Sequence, residues 1–268
     1  MQIIPKIAHF YWGAKTLPYL RYLTLYSFKK YNPDWKIILY IPKILNEDIS
    51  WKTFEQKYLI DTEDCFYKIK DLKIEISIFD MESIGFSNTL SEVIKSDILR
   101  WHLLYESGGL WSDMDILYFK SIDYGIPSFD YDACLCFNNI HRYHSIGFLL
   151  SKKNCEIFKD MVEVAKRDLN MNDYQSVGWQ LLFNTVGDLK NIKYKNVYNI
   201  PMEVVYPTQN IAEICDIKYE DIKNIIKDNT IGLHWYAGHP KLQKFVNQIG
   251  KNHFDNIIGH ISESITNV

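Results

Sequence analysis

The chain has 268 residues, 47% hydrophobic, 15% aromatic and 24% charged, with 30 Lys plus Arg against 33 Asp plus Glu for a formal charge of −3. Such a composition excludes disordered and fibrous architectures, and the length is enough to bury a sizeable core. No run of about 18 apolar residues is present to form a transmembrane helix, and the near-neutral charge gives no general reason to bind nucleic acid.

The opening, MQIIPKIAHFYWG, lacks a basic region followed by an apolar stretch and a small-residue cleavage site, so it reads as a strand over residues 3–11. Leu17–Tyr31 reads as a helix that ends at the Asn32-Pro33-Asp34 break. Trp35–Ile41 is a short apolar run suited to a buried parallel strand. A polar, partly helical stretch covers 46–71, and Lys73–Phe79 alternates as a strand does. Residues 89–107 give the clearest helix, closed by Gly108 and Gly109 as a left-handed cap would close it. Strands are expected at 132–137 and 145–151, helices at 154–169 and 176–186, strand-like runs at 193–200 and 229–236, and a polar helical tail. Strands alternating with helices predict an α/β domain with a largely parallel sheet, and such sheets take ligands at the carboxyl ends of their strands. With no internal repeat or long linker, one domain over 1–268 is expected, its first part to about residue 120 and its second from about residue 121.

On the 89–107 helix, at about 100° per residue, Leu90, Val93, Ile94, Ile98, Trp101, Leu104 and Tyr105 share one arc of roughly 140°. Asp97 falls near the middle of that arc and Arg100 at its edge. A carboxylate there is costly unless paired, so it either forms an internal pair with Arg100 or reaches past the helix to a polar ligand. Directly after the glycine pair comes Leu110-Trp111-Ser112-Asp113-Met114-Asp115, which puts Asp113 and Asp115 two apart in a turn or a strand. In extended geometry, residues two apart point to the same side. Two like charges held that close call for a cation between them, and a divalent metal with open positions would then take the phosphate oxygens of a nucleoside diphosphate.

The run Ser96-Asp97-Ile98-Leu99-Arg100, followed by Gly108-Gly109-Leu110-Trp111-Ser112-Asp113-Met114-Asp115, resembles the sugar-binding DXD region of glycosyltransferase family 32. It is also similar to that of the large clostridial glucosylating toxins. The opening IPKIAHFYWG and the late GLHWYAGHP look like the first-strand and C-terminal elements of that family, so the likeness spans residues 3–239. The resemblance implies a GT-A fold, with a mostly parallel central sheet and flanking helices, and a retaining, metal-dependent transfer from a nucleotide-sugar such as a UDP- or GDP-sugar. It places Trp12 against the base, with the backbone near Tyr11 and Gly13 holding the nucleotide. Asp97 and Arg100 would bind donor sugar hydroxyls and phosphate, and Asp113 would touch the ribose or the transferred sugar. Asp115 would be the more direct ligand of a manganese or magnesium ion, His234 would complete its shell, and Trp235 would lie beside the diphosphate. Trp111 stands where many relatives carry Tyr or Phe, which argues against a hydroxyl-based role there.

A glycan acceptor of a capsule or lipopolysaccharide fits short relatives best. A protein side chain or a hydroxymethylated base of phage DNA are alternatives, as is a degenerate scaffold that binds a nucleotide-sugar without turnover. The five scattered cysteines suit reduced thiols in a cytoplasm, with peripheral membrane association allowed. Other features read blandly. His141 and His144 suit a solvated turn better than a metal clamp, and His239 a loop. Cys134 and Cys136 share one face of an apolar strand as inert thiols, and Lys152, Lys153, Lys159, Lys166 and Arg167 form a solvated face with neighbouring acids.

Overall fold

The computed structural model describes residues 3–46, 63–173, 175–189, 192–208, 214, 216–239, 242 and 256–267. Parts of the expected 46–71 stretch and of the C-terminal tail, as well as Cys215, lie outside them. In chain order, β1 (Ile7–Tyr11), α1 (Tyr19–Tyr31), β2 (Lys36–Pro42), α2 (Phe66–Leu72), β3 (Glu75–Phe79), α3 (Glu92–Glu106) and β4 (Gly109–Ser112) form the first half. There follow β5 (Ile116–Tyr118), β6 (Ala133–Asn138), β7 (Tyr143–Ser151), α4 (Glu156–Asp168) and α5 (Trp179–Val186). The last elements are β8 (Val197–Asn199), the single turn α6 (Ile222–Ile225), β9 (Gly232–His234) and α7 (Ile257–Thr266).

The main sheet runs β3-β2-β1-β4-β7-β6-β8, and β5 with β9 makes a separate two-stranded ribbon. β3, β2, β1 and β4 are mutually parallel, β7 is antiparallel to both β4 and β6, and β8 returns parallel to β6. The sheet is therefore mixed and mostly parallel, as the alternation of elements leads one to expect. The chain leaves β1 towards β2 on one side, whereas β4 lies on the other. A crevice opens at such a switch point, beyond the carboxyl ends of the strands.

Apolar side chains cover both faces of the central strands, which is why β1 and β2 read as near-continuous runs. Phe10, Leu39, Leu110 and Phe148 face α1, whereas Tyr11, Ile38, Trp111 and Leu149 face α3 and α4. The ends of α3 follow its caps. Ser91 Oγ accepts from the Ile94 N–H at 3.4 Å, so the helix starts at Glu92 and leaves Leu90 outside it. Gly108 and Gly109 have φ of +67° and +100°, and a Cβ on Gly109 would sit 2.3 Å from the Ile7 carbonyl oxygen. The glycine pair thus lets the chain reverse out of α3 and lets β4 lie against β1.

His9, fully buried in β1, ties these strands together through Nε2 to the Gly108 carbonyl at 2.9 Å and Nδ1 to Tyr40 Oη at 3.2 Å. Burial pushes its imidazole down to about 4, against about 6.5 in an unfolded chain. A depressed histidine pKa means the unfolded state binds the proton first, so this stability is present above pH 6.5 and lost as pH falls through 4. The difference amounts to about 3 kcal/mol. The urea midpoint should fall over that window in the wild type, and the fall should flatten in His9→Asn.

The expected solvated turn at His141 and His144 needs correction. His141 is exposed, but His144 lies within β7, fully buried, with Nε2 2.8 Å from the Gly187 carbonyl. Strand alternation turns it inward against Phe137 and Phe183. Cys134 and Cys136 are buried on one face, and burial pushes both thiols up. Lys152 pairs with Asp132 at 2.7 Å and Arg167 with Asp168 at 2.7 Å, so local acids balance this basic stretch. No helix among the described residues is long and apolar enough to cross a membrane.

Candidate active site

β1 and β4 deliver their carboxyl ends side by side, and a cleft of about 240 Å³ opens there. Tyr11, Trp12, Asp97, Arg100, Trp111, Asp113 and Asp115 all line it, so residues far apart in sequence share one wall. Gly13 lies just beyond, where a Cβ would come 2.3 Å from Glu92 Oε2. That glutamate is fully buried. It accepts from Tyr11 Oη, from Lys95 Nζ at 2.7 Å and from the Asn46 N–H at 2.9 Å, which fixes the strand end against the start of α3.

The two aspartates are held by different helices. β4 ends at Ser112 and the chain turns, so strand alternation does not align the carboxylates; the turn does. Asp113 Oδ1 accepts from Arg100 Nη2 and from Trp111 Nε1, both at 2.9 Å. The indole N–H of Trp111, which has no hydroxyl to offer, thus supplies a donor to Asp113. Arg100 Nη1 also lies 3.1 Å from Asp97 Oδ1, and its buried Nε has no hydrogen-bond partner among the described residues. Asp97 is therefore both an internal partner of Arg100 and part of the cleft wall. Burial pushes its carboxyl up to about 7, Arg100 opposes the shift, and the Asp113 charge adds to it.

Asp115 is buried on the α1 side of the sheet. Its Oδ1 lies 3.2 Å from His234 Nε2 and 3.9 Å from Arg21 Nη1, and its Oδ2 accepts from the Ala237 N–H at 3.0 Å. Burial alone would raise this carboxyl, but His234, Arg21 and the backbone N–H together hold it well below the usual carboxylate range. His234 arrives by strand register. β5 begins just after Asp115, β9 pairs with it antiparallel, and Ile116 sits opposite His234. The Trp235 N–H then donates to the Asp115 carbonyl at 2.9 Å.

Asp113, Asp115 and His234 each bring one ligand atom to within 4.8 Å of the others. Two carboxylates and an imidazole form a donor set suited to a divalent cation. The buried Nδ1 of His234 has no hydrogen-bond partner among the described residues, as a ring able to reorient towards an ion would show. These residues could hold a divalent metal ion. Gly147 in β7 makes room for the cluster, since its carbonyl accepts from the Asp113 N–H at 2.8 Å and a Cβ there would come 2.7 Å from Asp113 Oδ2. Gly147→Ala should therefore displace Asp113 and weaken any divalent-metal binding about tenfold, and, because the same Cβ would meet the buried Tyr206 hydroxyl at 2.8 Å, also lower the melting temperature. Titration by electron paramagnetic resonance beside a thermal melt would check this.

Trp235 is fully buried and does not line the cleft; Arg21 covers its ring instead. Several cleft residues carried no signal in the sequence. Arg21 comes from α1, and Ile146, Gln175 and Trp179 come from the second half of the chain, whereas Gly238 belongs to the GLHWYAGHP element. Gly178 lets the 175–178 turn close on Asp97, because a Cβ there would meet Asp97 Oδ2 at 2.9 Å. Only the proximity of Arg21 to the tyrosine-rich face of α1 could have flagged it, and that pattern has no specific chemical meaning.

No protein-family model matches the sequence, and no curated protein sequence matches it. Solved structures do resemble its fold. A structure described as PaToxG glycosyltransferase is 18% identical with a TM-score of 0.51, and the match covers 69% of each chain. The apo form of the glycosyltransferase GlyE from Streptococcus pneumoniae TIGR4 is 13% identical with a TM-score of 0.51, covering 98% of this chain and 60% of that one. The chain thus spans less than two thirds of the GlyE structure. At these identities the likeness concerns architecture: the chain has a GT-A-like α/β fold, a mixed, mostly parallel sheet flanked by helices.

Proposed function

We propose that this chain is a metal-dependent, retaining glycosyltransferase of the family 32 type, moving a sugar from a nucleotide-sugar to an acceptor hydroxyl. The observation that carries this reading is the convergence of Asp113, Asp115 and His234 at the sheet's switch point, beside Asp97 and Arg100. A bound manganese or magnesium ion would supply Lewis-acid stabilisation of the charge that grows on a departing diphosphate. Tyr11 and Trp12, with the backbone through Gly13, line the end of β1 where the nucleoside would lie. Asp97 would accept from donor sugar hydroxyls. Arg100 holds Asp113 in place through Nη2 and contributes a cation to the cleft wall, where the anionic donor would lie. Trp111 fixes the orientation of Asp113 by donating to its Oδ1. Asp97, Arg100 and Asp115 are buried in the cleft wall, and burial of that kind strengthens electrostatic interactions there.

The bond broken is the one between the anomeric carbon and the diphosphate oxygen; the bond formed joins that carbon to the acceptor oxygen, whose proton leaves to solvent or to the diphosphate. A glycan of a capsule or lipopolysaccharide is the acceptor that this reading favours, in a cytoplasmic setting. The formal charge of −3 does not favour the phosphate backbone of duplex DNA. The test is a panel of UDP- and GDP-sugars incubated with the protein in Mn²⁺ or in EDTA and followed by mass spectrometry. Release of a nucleoside diphosphate from a particular donor, dependent on metal, is the expected result. Neither hydrolysis nor calorimetric binding of any donor would overturn the assignment.

A further inference from the structure

Trp179 differs from the other aromatic side chains of the cleft. Tyr11, Trp12 and Trp111 are 5%, 1% and 1% exposed, whereas Trp179, the first residue of α5, is only half-buried. Tyr143 of β7, also half-buried, meets that indole in a T-shaped contact, with ring centroids 6.4 Å apart and planes at 76°. Neither ring belongs to the apolar clusters that the described residues form on the two faces of the sheet. A tryptophan that served packing alone would be expected to hide its ring, as Trp12 and Trp111 do.

The backbone that carries this indole is fixed relative to the acids. Trp101, one turn after Asp97 on α3, donates through Nε1 to the carbonyl of the fully buried Val177 at 2.7 Å. The Gly178 N–H donates to the Gln175 carbonyl at 3.0 Å, which closes the turn that abuts Asp97, and α5 starts directly after it. Trp179 is therefore held next to the segment that touches Asp97, whereas Tyr11 and Trp12 stand at the end of β1. An attacking hydroxyl has to reach the sugar end of a bound donor, not its nucleoside end.

We propose that Trp179, positioned by Tyr143, is the platform on which a pyranose ring of the acceptor stacks, so that the acceptor is a saccharide. This rests on the reading of the cleft as a nucleotide-sugar site. The C–H bonds on one face of a pyranose carry a slight positive charge, which suits the negative face of an indole. The hydroxyls around the edge of the same ring need polar partners, and the half-buried Gln175 amide lines the cleft on the same short segment. Apolar surface with a few converging polar groups is the usual make-up of a small-molecule subsite. A lone serine or threonine hydroxyl of a protein would leave the indole without a ring to cover it.

The test offers the full chain, with Mn²⁺ and the donor it hydrolyses, the methyl α- and β-pyranosides of glucose, galactose and mannose, and beside them N-acetylserine amide and a hydroxymethylated deoxycytidine. Products are followed by mass spectrometry, and donor affinity is read by calorimetry. The expected result is transfer to a pyranoside whose KM rises about tenfold or more in Trp179→Ala and in Trp179→Leu, which keeps bulk but no ring. Donor affinity should change much less, and Trp179→Phe should restore most of the acceptor KM. An unchanged acceptor KM in Trp179→Ala overturns the proposal, and so does Trp179→Phe no better than Trp179→Leu. A loss of donor affinity as large as the rise in acceptor KM gives the ring to the donor and overturns it as well. Wild type that hydrolyses donor but transfers to no pyranoside, or only to the serine or the nucleoside, overturns it while leaving the glycosyltransferase reading intact. Neither hydrolysis nor binding of any donor would sink that reading and this one together. If Trp179→Ala does not fold, as read by its melting curve, Trp179→Leu decides, and a wild-type KM there overturns the proposal.

Discussion

Asp115→Asn should abolish Mn²⁺ binding and lower metal-dependent donor hydrolysis by a factor on the order of 10³. The substitution keeps the shape and the acceptor for the Ala237 N–H, so the turn can persist. It removes the charge that faces both His234 and Arg21, at 3.2 and 3.9 Å. The Asp115 carboxyl is held below its ordinary range, so its contribution to stability is present above the unfolded value near 4 and fades as pH falls through the lower folded value. The variant should therefore melt below wild type at pH 7 and converge with it in acid. Mn²⁺ titration, donor hydrolysis and melts followed from pH 7 to well below pH 4 measure all three effects. A variant that hydrolyses donor at the wild-type rate with manganese present would remove Asp115 from the metal site.

Arg100→Met should cost transfer activity on a similar scale, for a different reason. Arg100 bridges Asp97 and Asp113, and its loss leaves two carboxylates facing each other across the cleft wall. Breaking one side of a buried ion pair typically costs about 3–5 kcal/mol. Here Asp97 can escape part of that cost by protonating. Its carboxyl already stands at about 7, and Arg100 is the group that pulls it down. Without Arg100 it rises further and stays neutral at pH 7, so the loss should fall nearer about 2 kcal/mol than the full range. The activity loss should remain, because a neutral Asp97 and a loosened Asp113 no longer meet the donor as wild type does. Arg100→Lys cannot span both carboxylates and should rescue stability more than turnover. Urea denaturation together with donor hydrolysis separates the two effects, and wild-type turnover in Arg100→Met would exclude the bridge from function.

Legibility differed sharply between the two halves of the site. Asp97 stood out because an acid in the middle of an apolar helical arc violates the pattern around it, and the structure places it on Arg100 and on the cleft. Asp113 and Asp115 stood out because they follow a glycine pair, whose positive φ angles and contact with Ile7 show why nothing larger fits there. Their spacing is compatible with a turn or a strand, and the structure has a turn after Ser112 that brings them together. The helices at 154–169 and 176–186 appear slightly shortened, as Glu156–Asp168 and Trp179–Val186, because patterns mark faces better than ends.

His144 shows the opposite case. A histidine flanked by Arg142 and Tyr143 reads as polar and solvated, yet two-residue alternation in β7 sends it inward to the Gly187 carbonyl. Local composition carries no information about which side of a strand another element will cover. Arg21 was invisible for a related reason: it sits among tyrosines and leucines on an ordinary helix, and only the packing of Trp12 and Trp235 around it marks it out.

The order of amino acids alone determined the α/β alternation, the glycine-enforced reversal before β4, the misplaced acid on α3 and the pair of aspartates, because periodicity, backbone permissiveness and charge burial are local constraints. Three-dimensional packing decided the rest. Register between β5 and β9 set His234 beside Asp115, a turn made Asp113 and Asp115 neighbours, and two helices on opposite faces gave each carboxylate its own arginine. Apart from that turn, those contacts join residues from 13 to more than a hundred positions apart, and their energies depend on distance in space, which no spacing along a chain encodes.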